Sequence, residues 1–250
     1  GPPRRDGSVA EAAGFPHGGW AASSAFEDSR FCAACHQFEK DGFALNGKLL
    51  ENTHEEWKAS RHAREGRSCQ SCHMPDRRHL WRGIHDPGMT KQGIEASPTP
   101  LRVEAGQVIA ALRIKNTGAG HYFPTYVTPQ VIVRSLQETA AGEILKDTVQ
   151  DYVIGRRVTQ DLSQEVFDTR LAPDEERVVE YRKAAHPRAA HLVFEIRVEP
   201  DAFYTEFYRS LLRDGGAGKG KTLIEAALKD SLASHYTVYT LRQPLADGRR

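Results

Sequence analysis

Apolar and polar positions change their rhythm once along the chain. From about residue 101 onward, short runs rich in β-branched residues recur at 101–104, 108–115, 131–136, 149–154, 177–181 and 192–198, with partial alternation of apolar and polar positions. Such runs predict strands. Turn chemistry separates them at Ala105-Gly106, Asn116-Thr117-Gly118, Ala141-Gly142 and Ala172-Pro173-Asp174, so an antiparallel sandwich of immunoglobulin-like size is expected. Phe203, Phe207, Leu211 and Leu212 fall at helical spacing, as do Leu223, Ala226, Ala227 and Leu232. Helices are therefore predicted near 201–213 and 222–233, joined by the glycine-rich stretch 215–220, with a last strand over 237–241.

Before residue 100 there is little alternation. Thr53-His54-Glu55-Glu56 reads as a capping box opening a helix that runs through Trp57 and stops near Gly66. Ser97-Pro98-Thr99-Pro100 marks a turn or linker, because proline removes a backbone donor and restricts the residue before it. The expected fold class is α+β. Residues 1–100 form a mostly irregular and helical domain organised by a cofactor, and residues 101–250 an antiparallel β-sandwich with two additional helices.

Composition narrows the function classes. With 250 residues, 39% of them hydrophobic and 27% charged, the chain is long enough for a buried core. A net charge of +1 supplies no basic field for nucleic acid and no polybasic stretch for an anionic membrane. No run approaches the ~20 apolar residues that span a bilayer, and residues 1–30 lack the layout of a signal peptide, so an exported protein is expected here in its mature form.

All four cysteines lie in two copies of one pattern, Cys32-Ala33-Ala34-Cys35-His36 and Cys69-Gln70-Ser71-Cys72-His73. C-x-x-C-H is the attachment motif of c-type haem: two sulfurs add to the porphyrin vinyl groups and the adjacent histidine ligates the iron. Two haems are thus expected, on Cys32 and Cys35 and on Cys69 and Cys72, with His36 and His73 as iron ligands. A zinc ribbon would place its cysteine pairs roughly 15–20 residues apart and needs no histidine after either. Here 33 residues separate Cys35 from Cys69. A thioredoxin-like pair lacks its βαβ context, and disulfides closing two-residue loops would restrict the unfolded chain little.

The stretch from Trp57, Ser60 and His62 through Cys69-Gln70-Ser71-Cys72-His73-Met74-Pro75 to His79 and Gly83-Ile84-His85-Asp86 resembles bacterial multihaem c-type cytochromes. The resemblance continues through Asn116-Thr117-Gly118-Ala119-Gly120-His121-Tyr122-Phe123-Pro124-Thr125 and, more loosely, Asp168-Thr169-Arg170-Leu171-Ala172-Pro173. It implies a haem segment leading into a sandwich domain, and electron transfer in the periplasm or outside the cell. Only two attachment sites are present, fewer than in the larger members of that group.

The second axial position of each iron needs a donor. His54, His62, His79, His85 and His121 are the candidates, and a connecting chain must travel roughly 20 Å or more around the macrocycle at ~3.3–3.6 Å per residue. His85 lies twelve residues past His73 and is expected to cap the second haem. His62, seven residues before Cys69, is expected to cap the first haem. His121 stands in a glycine-rich loop from which the sandwich could donate a ligand. Met89 is the one thioether candidate. Arg77, Arg78 and Arg82 are placed to bind haem propionates, since forked guanidinium groups suit carboxylates. Trp57, Trp81 and Tyr122 are expected to pack against porphyrin.

Two function classes follow. A dihaem electron carrier with bis-histidine irons is favoured by the surplus of histidines, seven of the eleven lying before residue 100. A dihaem oxidoreductase with one open iron, suited to peroxide or nitrogen oxides, is the alternative. Redox partner proteins, including other cytochromes, are the expected partners, and exposed strand edges would also permit a homo-oligomer or filament.

Overall fold

The computed structural model of the chain describes residues 23–75 and 82–245. Its first part is built from short helices: α1 (Ser29–His36), then the hairpin β1 (Ala44–Leu45) and β2 (Lys48–Leu49), then α2 (Thr53–Ala59), α3 (Arg61–Arg64), α4 (Cys69–His73) and α5 (Pro87–Gly93). Side-chain caps start three of them. Asp28 caps α1 by accepting from the Arg30 N–H at 2.8 Å, Ser68 caps α4 from Ser71 at 3.2 Å, and Asp86 caps α5 from Met89 at 2.9 Å. Asn46 and Gly47 turn the hairpin at φ 52° and 72°.

The helix expected from the capping box forms but is shorter and starts differently. Asn52 holds the cap position, and Thr53 and Glu56 turn instead toward residues 122–125. Ser60 is extended, with φ −80° and ψ 166°, and its hydroxyl donates to the Trp57 carbonyl at 2.6 Å, which breaks the helix before α3. Gly66, at φ 74°, ends the stretch.

The second part contains β3 (Ile94–Pro98), β4 (Arg102–Glu104), β5 (Gln107–Asn116), β6 (Gln130–Glu138), β7 (Gln150–Ile154), β8 (Arg156–Val158), β9 (Glu165–Asp168), β10 (Glu176–Ala184), β11 (His191–Glu199), α6 (Ala202–Arg213), α7 (Lys221–Ala233) and β12 (Tyr236–Pro244). One four-stranded sheet runs β10-β5-β3, with β4 also on β5; the other runs β12-β11-β6-β7, and β8 and β9 form a separate hairpin. All pairings are antiparallel. The class is α+β.

Alternation aims one face of each sheet inward. Val108, Leu112 and Ile114 of β5, Tyr181 of β10, Val131 and Val133 of β6, and Phe194, Ile196 and Val198 of β11 join one buried cluster. Each fully buried side chain of this kind contributes about 1.5–3 kcal/mol relative to exposure. The sheet begins at Ile94, ahead of the boundary expected at residue 100: β3 pairs with β5 from Ile94 opposite Asn116 to Pro98 opposite Leu112. Ser97-Pro98-Thr99-Pro100 therefore supplies the end of an edge strand and the connection to β4, places where a missing N–H is tolerated.

Candidate functional site

The two C-x-x-C-H segments dock on each other. Cys32 and Cys35 lie on α1, Cys69 and Cys72 on α4. The Ser29 hydroxyl accepts from the Cys69 N–H at 3.1 Å, and the Gln70 side-chain amide donates to the carbonyls of Phe26 and Asp28, each at 2.9 Å. The Cys32 thiol is pushed up to about 11, first by burial and then by the neighbouring Cys69 thiol, with which it hydrogen-bonds. The leading cysteines of the two motifs therefore meet.

Past the second motif, His73 faces His121. Their ring centroids are 6.2 Å apart with planes 15° from parallel. His73 Nδ1 donates to the Arg82 carbonyl at 2.6 Å, and His121 Nδ1 donates to the Tyr122 carbonyl at 2.8 Å. In a neutral imidazole, a proton fixed on Nδ1 leaves Nε2 as the lone-pair nitrogen, and metal-binding histidines are held in this manner. Burial, reinforced by His73, His36 and His62 nearby, brings His121 down to about 4 against the opposing pull of its bond to Tyr122, so it is neutral and a competent donor at neutral pH.

The loop that delivers His121 is tightly specified. Asn116 donates to the carbonyls of His121 at 2.9 Å and Leu171 at 3.1 Å while its Oδ1 accepts from the Ala119 N–H at 3.1 Å. A Cβ on Gly118 would lie 1.9 Å from the Gln92 carbonyl oxygen, and one on Gly120 would come within 3.1–3.2 Å of Trp57, Ser60 and His62. Glycine here permits close backbone approach to α5 and to the break between α2 and α3. Phe123 and Leu171 exchange backbone bonds at 2.8 and 2.9 Å, closing the loop against the sheet.

Farther along the same loop, Tyr126 reaches the other motif. Its hydroxyl hydrogen-bonds His36 Nδ1, and the two rings stack with centroids 6.0 Å apart. Burial pushes the phenol up to about 12, so it stays protonated. One segment, 121–126, thus touches the histidines of both motifs.

Buried charge locks this loop to the first part of the chain. Glu56 accepts from the Tyr122 N–H and the Thr125 hydroxyl, both at 3.0 Å, and faces Arg170 at 3.5 Å. Burial raises Glu56, partly offset by Arg170 and the two hydrogen bonds. Arg170 donates to the Thr125 carbonyl at 2.7 Å and pairs with Asp168 at 2.9 Å, and its guanidinium lies 4.8 Å from the Tyr122 ring centre. Lys48 bridges Asp168 at 2.7 Å and Glu165 at 2.8 Å. Arg156, its side chain wholly buried, pairs with Glu165 and donates to the carbonyls of Leu45, Lys48 and Leu49. The hairpin β1–β2 and helix α2 are thereby fastened to β8, β9 and the 121–126 loop.

The remaining expected ligands stand elsewhere. His85 is exposed, its Nε2 3.0 Å from Asp201 at the start of α6, so the imidazole that the structure brings to His73 is His121. His62 is buried, but its Nδ1 lies 3.0 Å from Arg67. Burial, with Arg61 and Arg67 alongside, lowers its pKa. His54 packs against Trp57 with centroids 5.4 Å apart and planes 44° apart, and leans toward Glu55. Arg82 serves His73 through its carbonyl, and its side chain approaches Asp86 at 3.7 Å. Arg77, Arg78, His79 and Trp81 lie outside the described residues. Tyr126, Glu56 and Arg67 were not anticipated as site residues: a lone tyrosine after a turn and a glutamate inside a helix carry no pattern that separates them from ordinary surface positions.

The residues present fit a haem iron: His73 and His121 bring two imidazoles together, imidazole is a haem-iron ligand, and these two would hold it. Both rings also have the second-sphere carbonyl that such a ligand requires.

Among solved structures, the chain is similar to a penta-heme cytochrome c552 from Thermochromatium tepidum, with a TM-score of 0.61 and 20% identity over 88% of this chain and 57% of that one. The likeness is one of fold, and this chain spans a little over half the length of that protein. A second structure, the ApaA protein from Bordetella pertussis, shares 16% identity over 42% of this chain and 74% of its own, with a TM-score of 0.19, and carries no argument. No family model and no curated protein matches the chain.

Proposed function

We propose that this chain is a c-type cytochrome that carries electrons outside the cytoplasm on two covalently attached haems, one on Cys32 and Cys35 with His36, the other on Cys69 and Cys72 with His73. The observation that carries the reading is the pair His73 and His121, near-parallel imidazoles at 6.2 Å, each with Nδ1 tied to a backbone carbonyl. The likeness in fold to a penta-heme cytochrome supports it. Bound haem supplies reversible one-electron chemistry at iron. The chain's own residues do the rest: the cysteines would anchor the haem, His73 and His121 would hold its iron, and the Asn116–Glu56–Arg170 framework keeps His121 in place.

In this reading the two sheets form an immunoglobulin-like sandwich that donates a ligand to the haem segment. At the haem on His73 a carrier is favoured over an oxidoreductase, because a second imidazole is already in place there. Thioether attachment occurs beyond the cytoplasmic membrane, which places the protein in the periplasm or outside the cell, among redox partner proteins. Among the described residues no helix is long and apolar enough to cross a membrane. The test is the mass of the denatured full chain together with acid–acetone extraction: two haems' added mass, resistant to extraction, is the expected result, and extractable haem or none overturns the reading.

A further inference from the structure

We propose that Arg67 is a positioning residue that sets the potential of the haem on Cys69 and Cys72, and that buried His62 is its hydrogen-bond acceptor and not an iron ligand. The inference rests on the function proposed above.

Arg67 Nη1 lies 3.0 Å from His62 Nδ1. A guanidinium has five N–H donors and no lone pair to give, so His62 Nδ1 must be the accepting nitrogen. The ring is only 3% exposed, and in its neutral form the remaining proton sits on Nε2. That nitrogen then has no lone pair for a metal. The contrast with His73 and His121 is direct: those rings give an Nδ1 proton to a carbonyl and keep Nε2 open.

The other end of the guanidinium points at the second motif. Arg67 Nη2 is 3.8 Å from Cys72 Sγ, the sulfur that becomes a thioether on the porphyrin edge once haem is attached. The backbone around Arg67 is fixed as well. Its N–H donates to the His62 carbonyl at 2.9 Å, and its own carbonyl accepts from Trp57 Nε1 at 2.8 Å. Among the described residues no carboxylate pairs with Arg67. Guanidinium stays protonated across the ordinary pH range, so a permanent positive charge sits at the rim of this one macrocycle. Reduction lowers the iron's charge by one unit, and a fixed cation favours the reduced form.

Redox titration of the haem-loaded full chain tests this. Arg67→Gln is expected to shift one haem about tenfold toward the oxidised form, 59 mV for a one-electron couple, with the absorption spectrum unchanged; Arg67→Lys should restore most of the shift. His62→Ala should move the same midpoint in the same direction while both irons keep their parental spin state. His62→Gln retains an acceptor for Arg67 but cannot replace an imidazole on iron, so it should match the parent in spectrum and potential. A high-spin iron in either His62 variant, or unmoved midpoints in Arg67→Gln, overturns the inference. Absence of covalent haem in the unmodified protein would instead overturn the function on which it rests.

Discussion

His73 and His121 come from different parts of the fold, one at the end of the α4 helix and one in the loop after β5, yet their rings lie 6.2 Å apart and 15° from parallel. In the proposed cytochrome the pairing makes the sheet domain part of the haem site, and the loop that carries His121 would have to be held as firmly as the C-x-x-C-H segment.

Gly118 is the tightest point of that loop. Gly118→Ala puts a methyl group 1.9 Å from the Gln92 carbonyl, so the loop or α5 must shift. Overpacking of this kind costs about 1–3 kcal/mol. Chemical denaturation of the haem-loaded protein should show that loss, accompanied by a fraction of high-spin iron as His121 is drawn off. A variant with parental stability and spectrum would mean that the loop does not set the ligand.

Much of the sheet was legible from alternation. Residues 108–115, 131–136 and 192–198 have an apolar face at period two, and each became the centre of a longer strand whose ends carry polar residues that alternation does not mark. β8 and β9 were missed because, besides Val158, their buried or half-buried positions include Arg156, Glu165 and Asp168, charges that read as surface until their partners are known. The two C-x-x-C-H motifs were legible because their chemistry is local. His121 was legible as a candidate from its glycine-rich loop, but not its place beside His73: chain reach favoured His85 there, and reach measures distance along the backbone, whereas His121 is delivered by sheet pairing and by Asn116, contacts without a sequence spacing.

Asp168 gives the site a pH dependence with a definite sign. Burial alone would raise its pKa, but hydrogen bonds from Arg170 and Lys48 hold it well below the usual carboxylate range. The unfolded chain therefore takes up the proton first. Its contribution to stability is full above the ordinary value of about 3.9 and is lost as the pH falls from there through the depressed folded value. Asp168→Asn should cost about 1–3 kcal/mol at pH 7, since it leaves Arg170 with Glu56 alone and Lys48 with Glu165 alone. Urea unfolding at several pH values should then show a flatter acid limb for the variant than for the parent; parallel limbs would assign the acid sensitivity elsewhere.

His85 serves as a control. Its imidazole is exposed and bonded to Asp201, and surface pairs of this kind contribute about 0–1 kcal/mol. His85→Ala should therefore leave the oxidised and reduced spectra of both haems unchanged and cost little stability. A new high-spin band in this variant would restore His85 to the iron.

Carbon monoxide binding to reduced His121→Ala, followed by visible absorption beside the unmodified protein, tests the pairing of His73 and His121 most directly. The iron held by His73 should be low spin and unreactive in the parent, and in the variant this iron alone should turn high spin and bind carbon monoxide while the haem on His36 is unaffected. A variant whose two irons both keep the parental spectrum and refuse carbon monoxide would contradict that pairing.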